Sequence, residues 1–261
     1  GVNVVESITS EVTKQHARFL CENAIVVTMR ETSGKKYLSD LGISGNNIYV
    51  IGDPAFGMKV NKDENLVKCV LKNNKIRLKD KPTIGVCFRH EYWKGNEKDY
   101  LYLNKQLARS LDDISEILCC QYLFIPNCTY TKGHKWQDDR LTHQNIVNFM
   151  KNKDAAHQIN EKLSVYDTFR LFSLLEMHIS NRRHSCIFAS MNNIPFITIK
   201  GTFEGHLSPL LHELNIPEQL VHLDQGNNLK EKILETWENK KVLIDRISPI
   251  VKKLSKNSQK N

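Results

Sequence analysis

The segment Asn181-Arg182-Arg183-His184-Ser185 contains the side chains whose types and spacing best suit the binding of a small charged ligand. It lies between a predicted strand at 178–180 and a predicted helix that runs through the apolar residues Cys186, Ile187, Phe188 and Ala189. A helix start offers unpaired N–H groups, and a guanidinium pairs with two oxygens of a phosphate or carboxylate. The segment therefore predicts an anion site. The alternative, a solvated basic turn, is disfavoured by the apolar flanks.

A second cationic position, Arg89-His90, directly follows the predicted strand at 83–88. In parallel sheets ligands bind at the carboxyl ends of the strands, so a cation placed there faces the cleft at the strand ends. The alternative is an ordinary surface charge.

A third position is the loop after the predicted strand at 122–125, which contains His134 and then Asp138-Asp139-Arg140. An acid in this loop either orients a ligand hydroxyl or a histidine, or it only caps the helix that starts at Asp138. The sequence leaves both interpretations open.

The elements that must position these side chains follow an α/β pattern, because short β-branched runs alternate with longer amphipathic runs. This alternation is typical of a parallel sheet covered by helices. Strands are predicted at 24–29, 48–51, 83–88, 122–125, 158–163, 178–180 and 195–199. Helices are predicted at 5–22, 33–41, 97–118, from 138, at 166–176, through 187–191, and at 229–255 with a break near Pro249.

The order of these elements divides the chain into four segments. Gly52-Asp53-Pro54 ends the first series of elements, and the stretch that follows is rich in Lys, Asn and Asp, which is typical of a connection. We predict the end of an amino-terminal domain at 1–60, a linker at 61–81, a second domain at 82–225, and helices with a basic tail at 226–261.

Composition and charge narrow the class of protein. The 261 residues are 40% hydrophobic, enough for a core, and no apolar run approaches the roughly 18 to 20 residues of a membrane span. A formal net charge of +8 favours anionic partners, but the basic residues lack aromatic interleaving, which disfavours nucleic acid. The seven cysteines and ten histidines show no metal-site spacing, and the cysteines are predicted to be reduced thiols of a cytosolic protein.

Four sequence blocks carry a resemblance that extends over residues 24–200. They are Val27-Thr28-Met29-Arg30-Glu31-Thr32-Ser33 with Leu38, Leu41 and Gly42; Asp53-Pro54-Ala55-Phe56; Ile84-Gly85-Val86-Cys87-Phe88-Arg89; and Ser180-Asn181-Arg182-Arg183-His184-Ser185 with Ile187-Phe188-Ala189 and Pro195. In this order and spacing they resemble the polysaccharide pyruvyl transferase family. The family motifs are V-R-E/D-x-x-S with L-x-x-L-G, D-P-A-F, a strand ending in arginine, and R-L-H-S-x-I-F-A. Asp138-Asp139-Arg140 adds a weaker fifth block.

The resemblance implies two Rossmann-like domains of glycosyltransferase-B-like architecture, the first one incomplete in this chain because the family's opening glycine-rich turn has no counterpart. It also implies that the R-x-H motif, here Arg182 and His184, holds phosphoenolpyruvate. Two departures stand out. Arg183 replaces a usual leucine, and the lysine expected after the strand near Pro195 has no clean counterpart, since Glu204 to His206 stand there.

A mechanism follows from the resemblance as an expectation. The pyruvyl group of phosphoenolpyruvate moves onto hydroxyls of a saccharide and forms a pyruvate ketal in polysaccharide biosynthesis. Candidate substrate-binding residues are Arg182, Arg183, Arg89, Ser185 and His206, and His184 is the candidate general acid. The base that deprotonates the sugar hydroxyl is His134 or Asp139. We expect no cofactor and no metal, with phosphoenolpyruvate as a co-substrate.

Two other functions stay open at this point. A nucleotide-sugar-dependent glycosyltransferase of similar two-domain fold would place a diphosphate in the same cationic cleft. A degenerate anion-binding module would bind without releasing phosphate. As partners we predict phosphoenolpyruvate and a saccharide or lipid-linked saccharide acceptor, with no nucleic acid and no transmembrane segment. The predicted location is the cytoplasm, and a peripheral association with the inner membrane face stays open.

Overall fold

The computed structural model describes residues 8, 10–61, 63–90, 97–130, 138–200, 207–222 and 229–259. Two of the predicted site residues, His134 and His206, lie outside these ranges.

The amino-terminal part contains a small parallel sheet with two strands in the described residues, β1 (Val27–Met29) and β2 (Ile48–Val50). Its helices are α1 (Glu11–Asn23), which starts at the capping hydroxyl of Ser10, and α2 (Thr32–Asp40). A 3₁₀ turn at Pro54–Gly57 follows, capped by the Asp53 carboxylate, and then α3 (Glu64–Asn73). The turn after β2 therefore presents Asp53 at the carboxyl end of this sheet.

The larger sheet is parallel, and within the described ranges it contains six strands in the order β5-β4-β3-β6-β7-β8. The strands are β3 (Thr83–Cys87), β4 (Gln121–Phe124), β5 (Ala156–Gln158), β6 (Met177–Ser180), β7 (Phe196–Lys200) and β8 (Leu220–His222). The strand order runs in opposite directions on the two sides of the β3–β6 pair. Such a switch point opens a crevice at the carboxyl ends of the two strands.

Helices cover both faces of the larger sheet, as the buried strands of a parallel sheet require. They are α4 (Glu97–Ile117), α5 (Asp139–Phe149), α6 (Val165–Leu171), α7 (Arg183–Met191), α8 (Ser208–Glu213), α9 (Leu229–Glu238) and α10 (Lys240–Ser258). One core contains Leu123 and Ile125 together with residues of α7 and α10. The other core contains Tyr122 and Phe124, which point to the other face of β4, together with residues of α4 and α9.

Helix α10 also reaches the amino-terminal part of the chain. The Ser258 hydroxyl donates to the backbone carbonyl of Asp53 at 3.1 Å, and a Cβ at Gly57 would lie 3.1 Å from the Ser258 carbonyl oxygen. The end of α10 therefore holds the turn that carries Asp53.

The predicted α/β order with a parallel sheet is confirmed, with two corrections. The strand predicted at 158–163 is wrong: β5 ends at Gln158, and the backbone of Asn160 leaves the sheet to donate to Asn74 Oδ1 at 2.8 Å. The predicted break near Pro249 is also wrong, because α10 continues through Pro249 and the chain bends at Asn239 instead. Burial of one apolar face of α10 (Leu243, Ile247, Val251 and Leu254) compensates for the missing N–H of the proline.

Two elements of the fold have no counterpart in the prediction, α8 and β8. Helix α3 lies within the segment predicted as a linker and packs its buried Val67 and Val70 into one of the two cores. The division of the chain at 1–60, 61–81, 82–225 and 226–261 stays a prediction.

Candidate active site

The turn between β6 and α7 is built by two buried serines. The Ser180 hydroxyl accepts the Arg182 N–H at 2.8 Å and lies 2.5 Å from the Ser185 hydroxyl. Ser185 in turn donates to the Arg182 carbonyl at 2.8 Å, and both serines are fully buried. These contacts fix the start of α7, so that Arg182 to His184 emerge at the switch point of the sheet.

The Arg182 guanidinium is held from behind by Asp139. Its Nε and Nη2 both donate to Asp139 Oδ1, the former at 3.1 Å. The other carboxylate oxygen accepts the backbone N–H groups of Asn127 at 3.0 Å and Cys128 at 2.9 Å. Burial raises the pKa of Asp139, although Arg182 and these N–H groups oppose the shift. Because the Asp139 side chain is 0% exposed, it acts on the cavity through Arg182.

The backbone of Arg89 is held in place by hydrogen bonds to the Asn181 side chain. The Asn181 amide accepts the Arg89 N–H at 2.8 Å and donates to the Arg89 carbonyl at 3.2 Å, which joins the ends of β3 and β6. One residue earlier, the Phe88 N–H donates to His143 Nε2 at 3.0 Å. Burial lowers the pKa of His143 to about 3, so this imidazole is a neutral structural acceptor.

Two carboxylates from the amino-terminal part pair with Arg183. Glu31 Oε1 lies 2.5 Å from Arg183 Nη1, and Asp53 Oδ2 lies 3.3 Å from Arg183 Nε. The same Asp53 oxygen accepts from Arg30 Nη1 at 3.2 Å. The additional arginine, which replaces the family's leucine, therefore connects the small sheet to the start of α7.

The His184 imidazole lies at this junction and remains 54% exposed at its side chain. Burial lowers its pKa, the Asp53 charge raises it, and the nearby Arg183, Arg30 and Arg182 lower it further. Burial is the largest of these influences, and their net effect is a pKa below the ordinary value of histidine. A bound anion would favour the protonated form, because it adds negative charge beside the ring.

These side chains surround a cavity of about 550 Å³, a volume within the range typical of small-molecule sites. Its cationic side is formed by Arg30, Arg89, Arg182, Arg183 and His184, and the Cys128 and Asn181 side chains also line it. Apolar side chains also line the cavity, among them Met58, Leu163, Val165, Phe188 and Leu207. The acids paired with Arg30, Arg182 and Arg183 are not among the lining residues, so the lining itself suits an anionic ligand with an apolar or sugar-like part.

The structure brings together four of the predicted residues, since Arg89, Arg182, Arg183 and His184 all line the cavity. The buried Asp139 and Ser185 lie behind it and do not line it. The predicted contact of Ser185 with substrate and the predicted base role of Asp139 thus stay predictions, and the geometry gives both residues contacts within the protein instead.

The sequence analysis missed Arg30, Glu31 and Asp53 as site residues, although they belong to the first two of the four sequence blocks described above. A usable signal existed: Arg30 directly follows β1, and Asp53 follows β2 after two residues. The rule that ligands lie at the carboxyl ends of parallel strands applies to the small sheet as well.

Within the described ranges, no group of three or more His, Cys, Asp or Glu side chains could hold a metal ion. Across the same ranges, no helix has the length and apolar character needed to cross a membrane.

Comparison with known proteins adds a family to this geometry. The model of the polysaccharide pyruvyl transferase family matches residues 1–201. None of the curated proteins matches the sequence.

Solved structures share the fold at low sequence identity. S. aureus MnaA in complex with UDP has a TM-score of 0.61 and 13% identity, with 97% of this chain and 62% of that chain covered. UDP-GlcNAc 2-epimerase from Methanocaldococcus jannaschii, in complex with UDP-GlcNAc and UDP, has a TM-score of 0.56 and 17% identity, with 91% and 59% covered. A UDP-forming α,α-trehalose-phosphate synthase from Burkholderia vietnamiensis has a TM-score of 0.58 and 9% identity, with 96% and 60% covered.

At these identities the likeness shows the fold alone, and it confirms the predicted Rossmann-like architecture of the glycosyltransferase-B type. The chain spans about three fifths of the length of each of these structures.

Proposed function

The chain belongs to the polysaccharide pyruvyl transferase family, a family of enzymes, and on this premise we propose that its cavity binds phosphoenolpyruvate and transfers the pyruvyl group to a saccharide. The observation that carries the proposal is the set of four arginines and one histidine that line a single cavity at the switch point of the sheet. Phosphoenolpyruvate carries roughly three negative charges at neutral pH, and the cavity lining offers several guanidinium donors for its phosphate and carboxylate oxygens.

Arg182 and Arg89 bind the phosphate and the carboxylate in this proposal. They lie at the ends of the adjacent strands β6 and β3, joined through Asn181, so their spacing is fixed by the sheet. The amino terminus of α7 adds positive potential on the same side. Asp139 orients the Arg182 fork, and Ser185 supports the turn, so both act in this proposal without touching the ligand.

His184 donates the proton that starts the reaction. Protonation of the methylene carbon of phosphoenolpyruvate makes the second carbon electrophilic. A sugar hydroxyl adds there and loses its proton to a base. The bond to the phosphate oxygen then breaks, and phosphate leaves with the electron pair. A second hydroxyl adds to the same carbon, loses its proton, and closes the cyclic ketal. General acids of this kind contribute about 10² to 10⁴ in rate.

The base and the acceptor site are the open parts of the proposal. Of the two candidate bases, Asp139 is paired with Arg182, so His134 is the one we carry forward. The apolar side chains that line the cavity, among them Leu163 and Leu207, offer a surface for the acceptor saccharide. His206 remains a candidate for acceptor or donor binding.

A calorimetric titration with phosphoenolpyruvate, and separately with uridine diphosphate, tests the proposal. We expect phosphoenolpyruvate to bind, and Arg182→Ala to weaken binding by at least about 1.5 kcal/mol through lost charged hydrogen bonds. Since this change strands the Asp139 carboxylate, the double variant Arg182→Ala/Asp139→Asn is measured beside it. Arg246→Ala, which removes an arginine paired with Glu218 at the surface, is the control. Phosphate release in the presence of an acceptor completes the test.

The fold keeps a second function in view. Two of the similar solved structures are complexes with UDP, and a nucleotide-sugar-dependent glycosyltransferase would place its diphosphate against the same arginines. If the chain binds uridine diphosphate tightly and does not bind phosphoenolpyruvate, the glycosyltransferase function replaces pyruvyl transfer as the proposal.

A further inference from the structure

Asp53 lies where the small sheet meets the cavity, and the proposed function leaves it without a role. Its side chain is only 3% exposed. One carboxylate oxygen accepts the Ala55 N–H at 3.1 Å, and the other accepts from Arg30 at 3.2 Å and from Arg183 at 3.3 Å. The carboxylate is therefore anchored on three sides, and the Ser258 hydroxyl holds its backbone carbonyl.

The Asp53 oxygen that caps the turn also faces His184. Asp53 Oδ1 lies 3.9 Å from His184 Nε2, close enough for a direct charge interaction with a protonated ring. His184 belongs to the first turn of α7, whose start is fixed by Ser180 and Ser185. The backbone of His184 is therefore fixed by the β6–α7 turn, while its ring lies beside the Asp53 carboxylate from the amino-terminal part of the chain.

Most of the charges around His184 oppose its protonation. Arg183 on α7, Arg30 after β1 and Arg182 at the cap of α7 all lower the pKa of the ring, as does burial. The Asp53 charge acts in the opposite direction and, after burial, is the largest influence on the pKa of the ring. Asp53 therefore favours the protonated imidazole that the reaction needs, against three guanidiniums that oppose it.

Two further carboxylates near this cluster act on a different partner. Glu31 contacts Arg183 at 2.5 Å. Glu213, at the end of α8, interacts with the charges of Arg183, Glu31 and Asp53. Glu31 thus balances the additional arginine at Nη1, while Asp53 Oδ1 faces the histidine.

We propose that Asp53 is a positioning residue that orients the His184 imidazole toward the cavity and stabilises its protonated form. The consequence for the reaction rests on the proposed function, in which His184 is the general acid. The effect of Asp53 on the His184 ring does not rest on it. The D-P-A-F block thereby gains a physical role: its proline starts the turn, its alanine N–H anchors the carboxylate, and its aspartate faces the histidine in the first turn of α7.

The direct test is a titration of His184 by NMR on the full chain with isotope-labelled histidine, in which His184→Gln identifies the resonance. In Asp53→Asn we expect the His184 midpoint to move to lower pH. Asparagine still caps the turn, so the change removes mainly the charge. Asp53→Glu restores the charge and should return the midpoint toward that of the unchanged protein. Asp63→Asn is the matched control, because Asp63 caps α3 through the Asn65 and Leu66 N–H groups. It should leave the midpoint where it is.

Kinetics with phosphoenolpyruvate give the second readout. We expect Asp53→Asn to lower kcat at least tenfold at neutral pH, which is part of the roughly 10² to 10⁴ that a general acid contributes. The donor KM should not rise, since a lost anion does not weaken an anion site. The alkaline limb of the kcat/KM profile should move to lower pH together with the NMR midpoint.

An unchanged His184 midpoint in Asp53→Asn overturns the inference whatever the activity, and so does a raised donor KM with unchanged kcat. If the unchanged protein binds no phosphoenolpyruvate, the proposed function fails, while the NMR titration still decides the role of Asp53. Thermal unfolding of each variant separates these outcomes from loss of the fold.

Discussion

Replacement of Asp139 by asparagine should destabilise the chain strongly, because Asp139 forms a buried ion pair with Arg182. The carboxylate is 0% exposed and Arg182 is 21% exposed at its side chain. Removal of one partner of a buried pair typically costs 3 to 5 kcal/mol. Since Arg182 keeps some contact with water, we expect the lower end, about 3 kcal/mol. Asparagine preserves the shape and one acceptor for the Asn127 and Cys128 N–H groups, so most of the loss comes from the charge.

The size of this effect is measurable by thermal and urea unfolding. For a chain of this length, 1 kcal/mol shifts Tm by about 2 to 4 °C, so Asp139→Asn should lower Tm by about 6 to 12 °C. The matched variant is Arg182→Met, which strands the carboxylate instead of the guanidinium and should cost a similar amount. Asp167→Asn, which breaks a partly exposed pair with Arg170, is a control expected to cost less than about 1 kcal/mol.

A double-mutant cycle decides between a buried pair and two independent polar groups. If the pair is coupled as the contacts indicate, the double variant Asp139→Asn/Arg182→Met should be less destabilised than the two single changes added together. Independent groups would instead add to within about 0.5 kcal/mol. Additivity of that kind, or a single-variant loss below about 1 kcal/mol, would refute the assignment of Asp139 as the anchor of Arg182.

Two further predictions concern the free energy of unfolding. Burial raises the pKa of Glu213 to about 7, above its ordinary value of 4.5, so its ionisation costs stability as pH rises between these values and the cost persists above them. Glu213→Gln should therefore raise Tm at pH 8 but not at pH 4, and an equal change at both values would contradict this. A Cβ at Gly85 would lie 2.7 Å from His178 Nδ1 and also meet Leu175, so Gly85→Ala should cost about 1 to 3 kcal/mol in thermal unfolding; an unchanged Tm would show that both neighbours move freely.

Strands β3, β4 and β7 of the larger sheet were predictable because each is a short β-branched or aromatic run between polar turns. The run at 83–88 predicts β3. Apolar residues three or four positions apart from Leu103 to Leu118 predict α4. β8 was missed because Leu220–His222 is only three residues long and alternates too briefly to distinguish a strand from a loop. Pro249 misled the prediction because propensity alone ignores the buried face of α10.

The cationic half of the site was predictable for a related reason. Arg89 and Arg182 each lie two residues after the end of a strand, and the carboxyl ends of parallel strands meet at one edge. The sequence could not reveal which acid faces which arginine. Asp138 and Asp139 are adjacent in sequence and both precede an apolar helix, yet Asp138 pairs with Arg140 whereas Asp139 points inward to Arg182. Their division of roles depends on the packing of α5 against the sheet.

The contacts between Asp53 and the start of α7 explain why the additional arginine is tolerated at the position of a usual leucine. A guanidinium at Arg183 with no partner would be buried at 7% exposure, which is costly. Glu31 and Asp53 provide both a charge and a hydrogen-bond acceptor, so the cost is offset by residues 130 or more positions away along the chain. The cavity therefore depends on the two parts of the chain being correctly docked: without the small sheet, Arg183 loses its acids and His184 loses the Asp53 carboxylate that favours its protonated form.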